Sequence, residues 1–167
     1  LEFSGCSYTG DFKVSGAGKI RAGMLAGFAN ASFLFQDCSA SGSLVNENTS
    51  KRDFVAAAMI GFIEKNVEGR LNGCTFSGKV ESCTGSNNYI GGIIGNTADN
   101  STVVCDNCRT TASASVGSGA IKSVGMIAAR LKTAGCTIRN CRIAGKINKA
   151  GTVTTISDEN LEDWMIA

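Results

Sequence analysis

The feature that most limits what this chain can fold into is a cysteine that keeps returning. Cys6, Cys38, Cys74, Cys108 and Cys141 are separated by 32, 36, 34 and 33 residues. Four positions after each comes a small residue, Gly10, Gly42, Gly78, Ala112 or Gly145, and two further on an apolar one, Phe12, Leu44, Val80, Ala114 or Ile147. Between the cysteines runs a small-apolar-apolar-small motif: Gly23-Met24-Leu25-Ala26, Ala58-Met59-Ile60-Gly61, Gly92-Ile93-Ile94-Gly95 and Gly125-Met126-Ile127-Ala128. Units of this length cannot bury an apolar face alone, but stacked units share one continuous interior.

Within a unit the pattern is that of strands. Cys6, Tyr8, Gly10, Phe12 and Val14 alternate with polar residues, which puts the cysteines on one face, the inner one. A third apolar segment leads into each Cys and stops at Asp37, Gly73, Asn107 or Asn140, residues that tolerate the left-handed backbone of a tight corner. The chain has 21 Gly, no Pro and only 18% charged residues, a composition of short extended segments and turns. The expectation is an all-β chain forming one right-handed parallel β-helix of about five coils with three strands each. The coils span about 1–37, 38–73, 74–107, 108–140 and 141–156.

Length variation falls after the Cys strand, where 46–52 and 82–88 read as loops. Asn107 and Asn140 are expected to stack, with amide bonds from coil to coil. Ser157 as N-cap, the acids after it, and Leu161, Trp164 and Met165 at helical spacing predict a short C-terminal helix over 158–166 that caps the last coil. Leu1 opens in mid-repeat, so the expectation is a mature product or a piece of something longer.

The Gly-Ile-Ile-Gly motif and its relatives, the Asn-Cys or Asp-Cys corner and the following Ser-Gly-x-Val strand together resemble the GLUG-type repeats of bacterial cell-surface proteins, over roughly residues 5–150. Such repeats occur in adhesin-like proteins of gut Bacteroidetes and in some surface peptidases. The resemblance implies a parallel β-helix, surface exposure, and adhesion or carbohydrate contact. It carries over no catalytic residue.

The chemistry-bearing residues narrow the function further. There is no His, which removes His-based triads and most catalytic zinc sites, and no phosphate-binding loop. Cys105 and Cys108 with Cys136 and Cys141 have a zinc-like spacing, yet two of the four are repeat members. The readings that remain are a ladder of free, buried cysteines, or a disulfide between Cys105 and Cys136, with Cys83 the most exposed thiol. Asp106 and Arg139, both two positions before a Cys, make a salt bridge and not an acid-base pair. Asn30, Asn48 and Asn100 begin glycosylation-type triplets, which a chain rich in Asn, Ser and Thr produces by chance.

Net charge is +2, but residues 107–150 hold eight Lys or Arg and no acid, with Asp158, Glu159, Glu162 and Asp163 behind them. Arg109 and Arg142 follow consecutive repeat cysteines and point outward if the cysteines point inward. With Arg130, Lys132 and Arg139 they form a basic face, either simply solvated or suited to sulfate, phosphate or uronic acid groups. Aromatic residues interleaved with the charges are lacking, which argues against nucleic acid, and no apolar run reaches the roughly 18 residues of a membrane helix. The functional expectation is a non-enzymatic, cell-surface or secreted module, without cofactor or metal, that binds glycans or a host protein. The alternatives are a carbohydrate-active domain for an anionic polysaccharide, or a spacer.

Overall fold

The computed structural model describes the whole chain except residues 17, 48–52, 83–86, 118–120, 133–134, 157–164 and 167. The first coil contains β1 (Glu2–Ser4), β2 (Ser7–Thr9), β3 (Phe12–Val14), β4 (Ile20–Gly23) and β5 (Ala26–Ala29). The second contains β6 (Phe33–Gln36), β7 (Ser39–Asn46), β8 (Phe54–Ala57) and β9 (Ile60–Ile63). The third contains β10 (Glu68–Asn72), β11 (Thr75–Ser82), β12 (Asn87–Gly91) and β13 (Ile94–Thr97), and the fourth β14 (Thr102–Asp106), β15 (Arg109–Val116), β16 (Ile121–Gly125) and β17 (Ala128–Arg130). After them come β18 (Thr137–Arg139), β19 (Arg142–Lys149) and β20 (Thr152–Thr155).

Each strand pairs in parallel with its equivalent one coil away, which makes the protein a β-solenoid. Sheet A is β1-β6-β10-β14-β18, and sheet B runs from β2 and β3 through β7, β11, β15 and β19 to β20. Sheets C and D are β4-β8-β12-β16 and β5-β9-β13-β17. A coil therefore carries four strands where three were expected, and full turns number about four, not five, because the last layer exists only in sheets A and B. The chain then reverses: Ala150 and Gly151 take φ of 53° and 93°, a two-residue turn that sends β20 back antiparallel along β19.

No helix occurs among the described residues. Of the expected capping helix 158–166, residues 158–164 lie outside them; Met165 sits in a turn, and Ile166 bridges Ala128 in parallel. Met165 accepts from the N–H groups of Ile127 and Ala128, so the described end of the tail covers the edge of sheet D by strand-like pairing.

The recurring cysteine is the first residue after a corner between sheets A and B. Its preceding residue is left-handed in every layer: Gly5, Asp37, Gly73, Asn107 and Asn140 have φ between 52° and 64°. Cys38, Cys74 and Cys108 are fully buried inside that corner. Each of their thiols lies within hydrogen-bonding reach of two carbonyls that share its single proton, one two residues before it and one of the preceding coil, Phe3, Phe35 and Leu71 respectively. Asn140 does not stack on Asn107 as expected. Its amide donates to Asp106 at 2.9 Å, a stronger acceptor than a neutral amide oxygen.

The motif between the cysteines is a corner, and its register differs from the one the sequence suggests. Gly23, Ala57, Gly91 and Gly125 are partners, as are Ala26, Ile60, Ile94 and Ala128. Two of the four motif copies are thus displaced by one residue. It follows that the segment from sheet D to sheet A also varies in length, in addition to the expected loops between sheets B and C.

The tip residues Met59, Ile93, Met126 and Ile127 are fully buried in the main core, so sheets C and D enter the solenoid as a wedge. Their outward faces meet each other: Val55, Tyr89 and Ala129, with Phe62, form a small apolar cluster of their own. Glycine makes that approach possible, since a Cβ on Gly91 would run into the Ile94 carbonyl and one on Gly95 into the Gly61 carbonyl.

Midway along sheet B the strands bend at the small residue four places after the Cys. Gly42, Gly78 and Gly145 have φ of 109°, 145° and 130°, and a Cβ on Gly78 would meet the carbonyl oxygen of Gly42 on the neighbouring coil. Gly78→Val is expected to destabilise the fold by about 2 kcal/mol or more in urea denaturation. Ser77→Ala beside it, at an exposed position, is expected to stay within about 0.5 kcal/mol of the parent. Equal stability of the two variants contradicts the tight bend.

Candidate functional site

The expected basic face is not one surface. Arg109 and Arg142 are direct partners of β15 and β19, exposed on the outside of sheet B, one coil apart at about 4.8 Å. Arg139 lies around the corner on sheet A, where its Nη2 and Nε reach Asp106 Oδ2 at 2.8 and 2.9 Å. Arg130 lies on sheet D and donates to the Tyr89 hydroxyl at 3.1 Å, its guanidinium 5.7 Å from the ring centroid. Lys132 pairs with Asp99 at 3.1 Å. Of the five, Arg109 and Arg142 alone have no acid or hydrogen-bonding partner among the described residues.

Sequence reasoning missed the companion of these two. Lys146 lies on β19, four residues from Arg142, exposed and without a partner among the described residues. It borders a shallow hollow of about 470 Å³ lined also by Gly78, Thr111, Ala112, Ser113 and Gly145. The floor is the bend itself: small residues leave backbone uncovered there, and the hydroxyls of Thr111 and Ser113 stand at its sides. Strand parity would have found Lys146, since it shares the outward phase of Arg142.

On sheet A, Asp106 is held below the ordinary carboxylate range by the hydrogen bond from Asn140, then by Arg139. A lowered folded value means that its contribution to stability is complete above the unfolded pKa of about 3.9 and is lost as pH falls through the folded one. Asp106→Asn should therefore flatten the acid limb of the stability profile below about pH 4 and leave neutral-pH behaviour of the other carboxylates alone. An unchanged acid limb would contradict the cluster.

The described thiols differ among themselves: the hydrogen bond with Cys108 lowers Cys74 and brings Cys141 down to about 7. Cys105 and Cys136 are both free, so the expected disulfide alternative is not formed: Cys105 stands opposite Ile138, and Cys136 contacts the Ser101 carbonyl at 3.7 Å. Among the described residues no group of His, Cys, Asp and Glu is arranged to hold a metal ion. Burial raises the thiols of Cys38 and Cys105, and hydrogen bonds with Cys141 and Cys74, with burial behind them, raise Cys108. Cys83 lies outside the described residues. Alkylation of the native protein should modify the half-buried Cys6 and Cys136 and spare Cys38, Cys74, Cys105 and Cys108 until denaturant is added, as peptide mass mapping would show. Native labelling of Cys74 at the rate of Cys6 would rule out the buried ladder.

Compared with known protein families, with curated proteins and with solved structures, the chain matches none of them.

Proposed function

We propose that this chain is a non-enzymatic binding module of a secreted or cell-surface protein, and that it holds an anionic glycan against the outer face of sheet B. The observation that carries the proposal is the pair Arg109 and Arg142. Two exposed guanidinium groups one coil apart, with no acid paired to them among the described residues, repel each other and are relieved by an anionic ligand. Lys146 adds a third cation across the hollow, and the hydroxyls of Thr111 and Ser113 supply the neutral polar contacts a sugar requires. Sulfate and uronate groups fit the planar two-donor fork of arginine.

Surface exposure rests on the resemblance to GLUG-type repeats. The coils wind right-handed in this reading, the sense that parallel crossovers take almost without exception. The non-enzymatic part rests on the absence of His and on Asp106 being engaged by Arg139 and Asn140. A rigid stack of this kind suits adhesion, because ligand contacts on one sheet are fixed in spacing by the backbone and cost little ordering on binding.

The purified chain should bind heparin or polygalacturonate in a salt-dependent way. The Arg109→Ala, Arg142→Ala double variant should bind about tenfold or more weakly, the loss expected for two charge-assisted contacts. No retention of the parent on either polyanion at low salt sinks the proposal and leaves a spacer. Cleavage of the polyanion by the purified chain, lost in the same variant, would replace binding with a carbohydrate-active function.

A further inference from the structure

We infer that the outer face of sheet A is a second binding site, separate from Arg109 and Arg142, and that it takes a neutral, polyhydroxylated polysaccharide chain. Sheet A projects two rows outward: Glu2, Leu34, Arg70, Val104 and Thr137 form one, and Ser4, Gln36, Asn72, Asp106 and Arg139 the other. Two hollows meet on this face. One of about 410 Å³ includes Ser32, Glu68 and Thr102, the other of about 320 Å³ includes Gln36, Asn72 and Asp106, and both are bounded by Leu34, Arg70 and Val104. Each is of the size of a small-ligand site.

Arg70 stands where the hollows join. It is exposed, makes no side-chain hydrogen bond or ion pair among the described residues, and is flanked one coil away on each side by the half-buried Leu34 and Val104. The surrounding polar groups are held in place by one another. The Asn72 amide donates to Gln36 Oε1 at 2.9 Å, and Gln36 donates in turn to Asp37 at 2.8 Å, while Asp106 is fixed by Arg139 and Asn140. The result is an array of planar guanidinium, amide and carboxylate groups at one-coil spacing, with two apolar steps among them.

That array defines its ligand. The strand backbones of a central sheet face are used up in the coil-to-coil ladder, so a peptide cannot add a strand here, and pairing must be made through side chains alone. Acids and bases nearly balance, with Glu2, Glu68 and Asp106 against Arg70 and Arg139, which selects neither a polyanion nor a polycation. A ligand that presents hydroxyls at its edges and C–H faces between them satisfies both halves: diols pair with planar two-atom groups, and the C–H faces rest on Leu34 and Val104.

The test is native affinity electrophoresis of the intact chain in gels containing galactomannan, xyloglucan or hydroxyethylcellulose, with heparin as the contrasting probe. At least one neutral gel should retard the parent. Arg70→Ala and Asn72→Ala should each weaken that retardation about fivefold or more, and so should Arg70→Lys, which keeps the charge but loses the planar fork. The Arg109→Ala, Arg142→Ala double variant should migrate as the parent does in the neutral gels while losing heparin binding. Thermal melts equal to the parent's establish that the variants are folded. Absence of retardation in all three neutral gels overturns the inference, as does retardation that survives Arg70→Ala and Asn72→Ala together, or full binding by Arg70→Lys. None of these outcomes depends on the heparin result.

Discussion

Every part of this structure follows from one constraint, the parallel hydrogen-bonded ladder that places each residue beside its own equivalent one coil away. The ladder fixes the rise, so nothing bulky can be absorbed by moving the coils apart. Where the backbone bends sharply, as in sheet B, the neighbouring carbonyl occupies the space a Cβ would need, and Gly42, Gly78 and Gly145 follow. Where a corner is left-handed, Gly, Asp or Asn fills it in every layer. The cysteine after it is a small apolar side chain that fills the inner angle and gives the corner carbonyls a weak donor. Its persistence is structural and implies no redox or metal chemistry.

The same ladder must end somewhere, and the two ends differ. At the C-terminal end, the tight turn at Ala150 and Gly151 folds β20 back along β19, and Ile166 bridges sheet D. An antiparallel return closes the growing edge because it does not offer the next coil a matching row of equivalents. The first coil shows Leu1, Phe3, Phe12 and Phe28 exposed, although Phe3 stacks on Phe35 and Arg21 lies over Phe28 and Phe62.

Much of this was legible in the residues because a solenoid converts sequence period directly into spatial contact. The inward cysteines, the left-handed corner at Asp37, Gly73, Asn107 and Asn140, the Asp106 to Arg139 ion pair and the outward Arg109 and Arg142 all follow from period and strand parity. What failed was whatever depended on a short motif without a fixed anchor. The small-apolar-apolar-small segment can be slid by one residue with little loss of pattern, since Gly91 and Gly92 are interchangeable to the eye, and the pairing of Gly91 with Ala57 and Gly125 decides it. The wedge of sheets C and D was invisible for a related reason. Val55 and Tyr89 look like ordinary strand residues, and nothing local reveals that their outward side faces another sheet.

The basic face was misjudged by the opposite error, counting charges along the chain without assigning them to sheets. Arg109, Arg130, Arg139 and Lys132 are close in sequence, yet a coil has four sheets, and these residues belong to different ones or to the connections between them. In a solenoid, residues near each other along the chain diverge, whereas residues one period apart converge. A binding surface therefore has to be sought down a column of equivalents. Read in columns, Arg109 and Arg142 remain together, Arg139 moves to the company of Asn72 and Gln36, and Arg70, alone in its stretch of sequence, becomes the centre of a face. Two sheets meeting at one corner thus carry different chemistry, cationic on one side and balanced polar on the other.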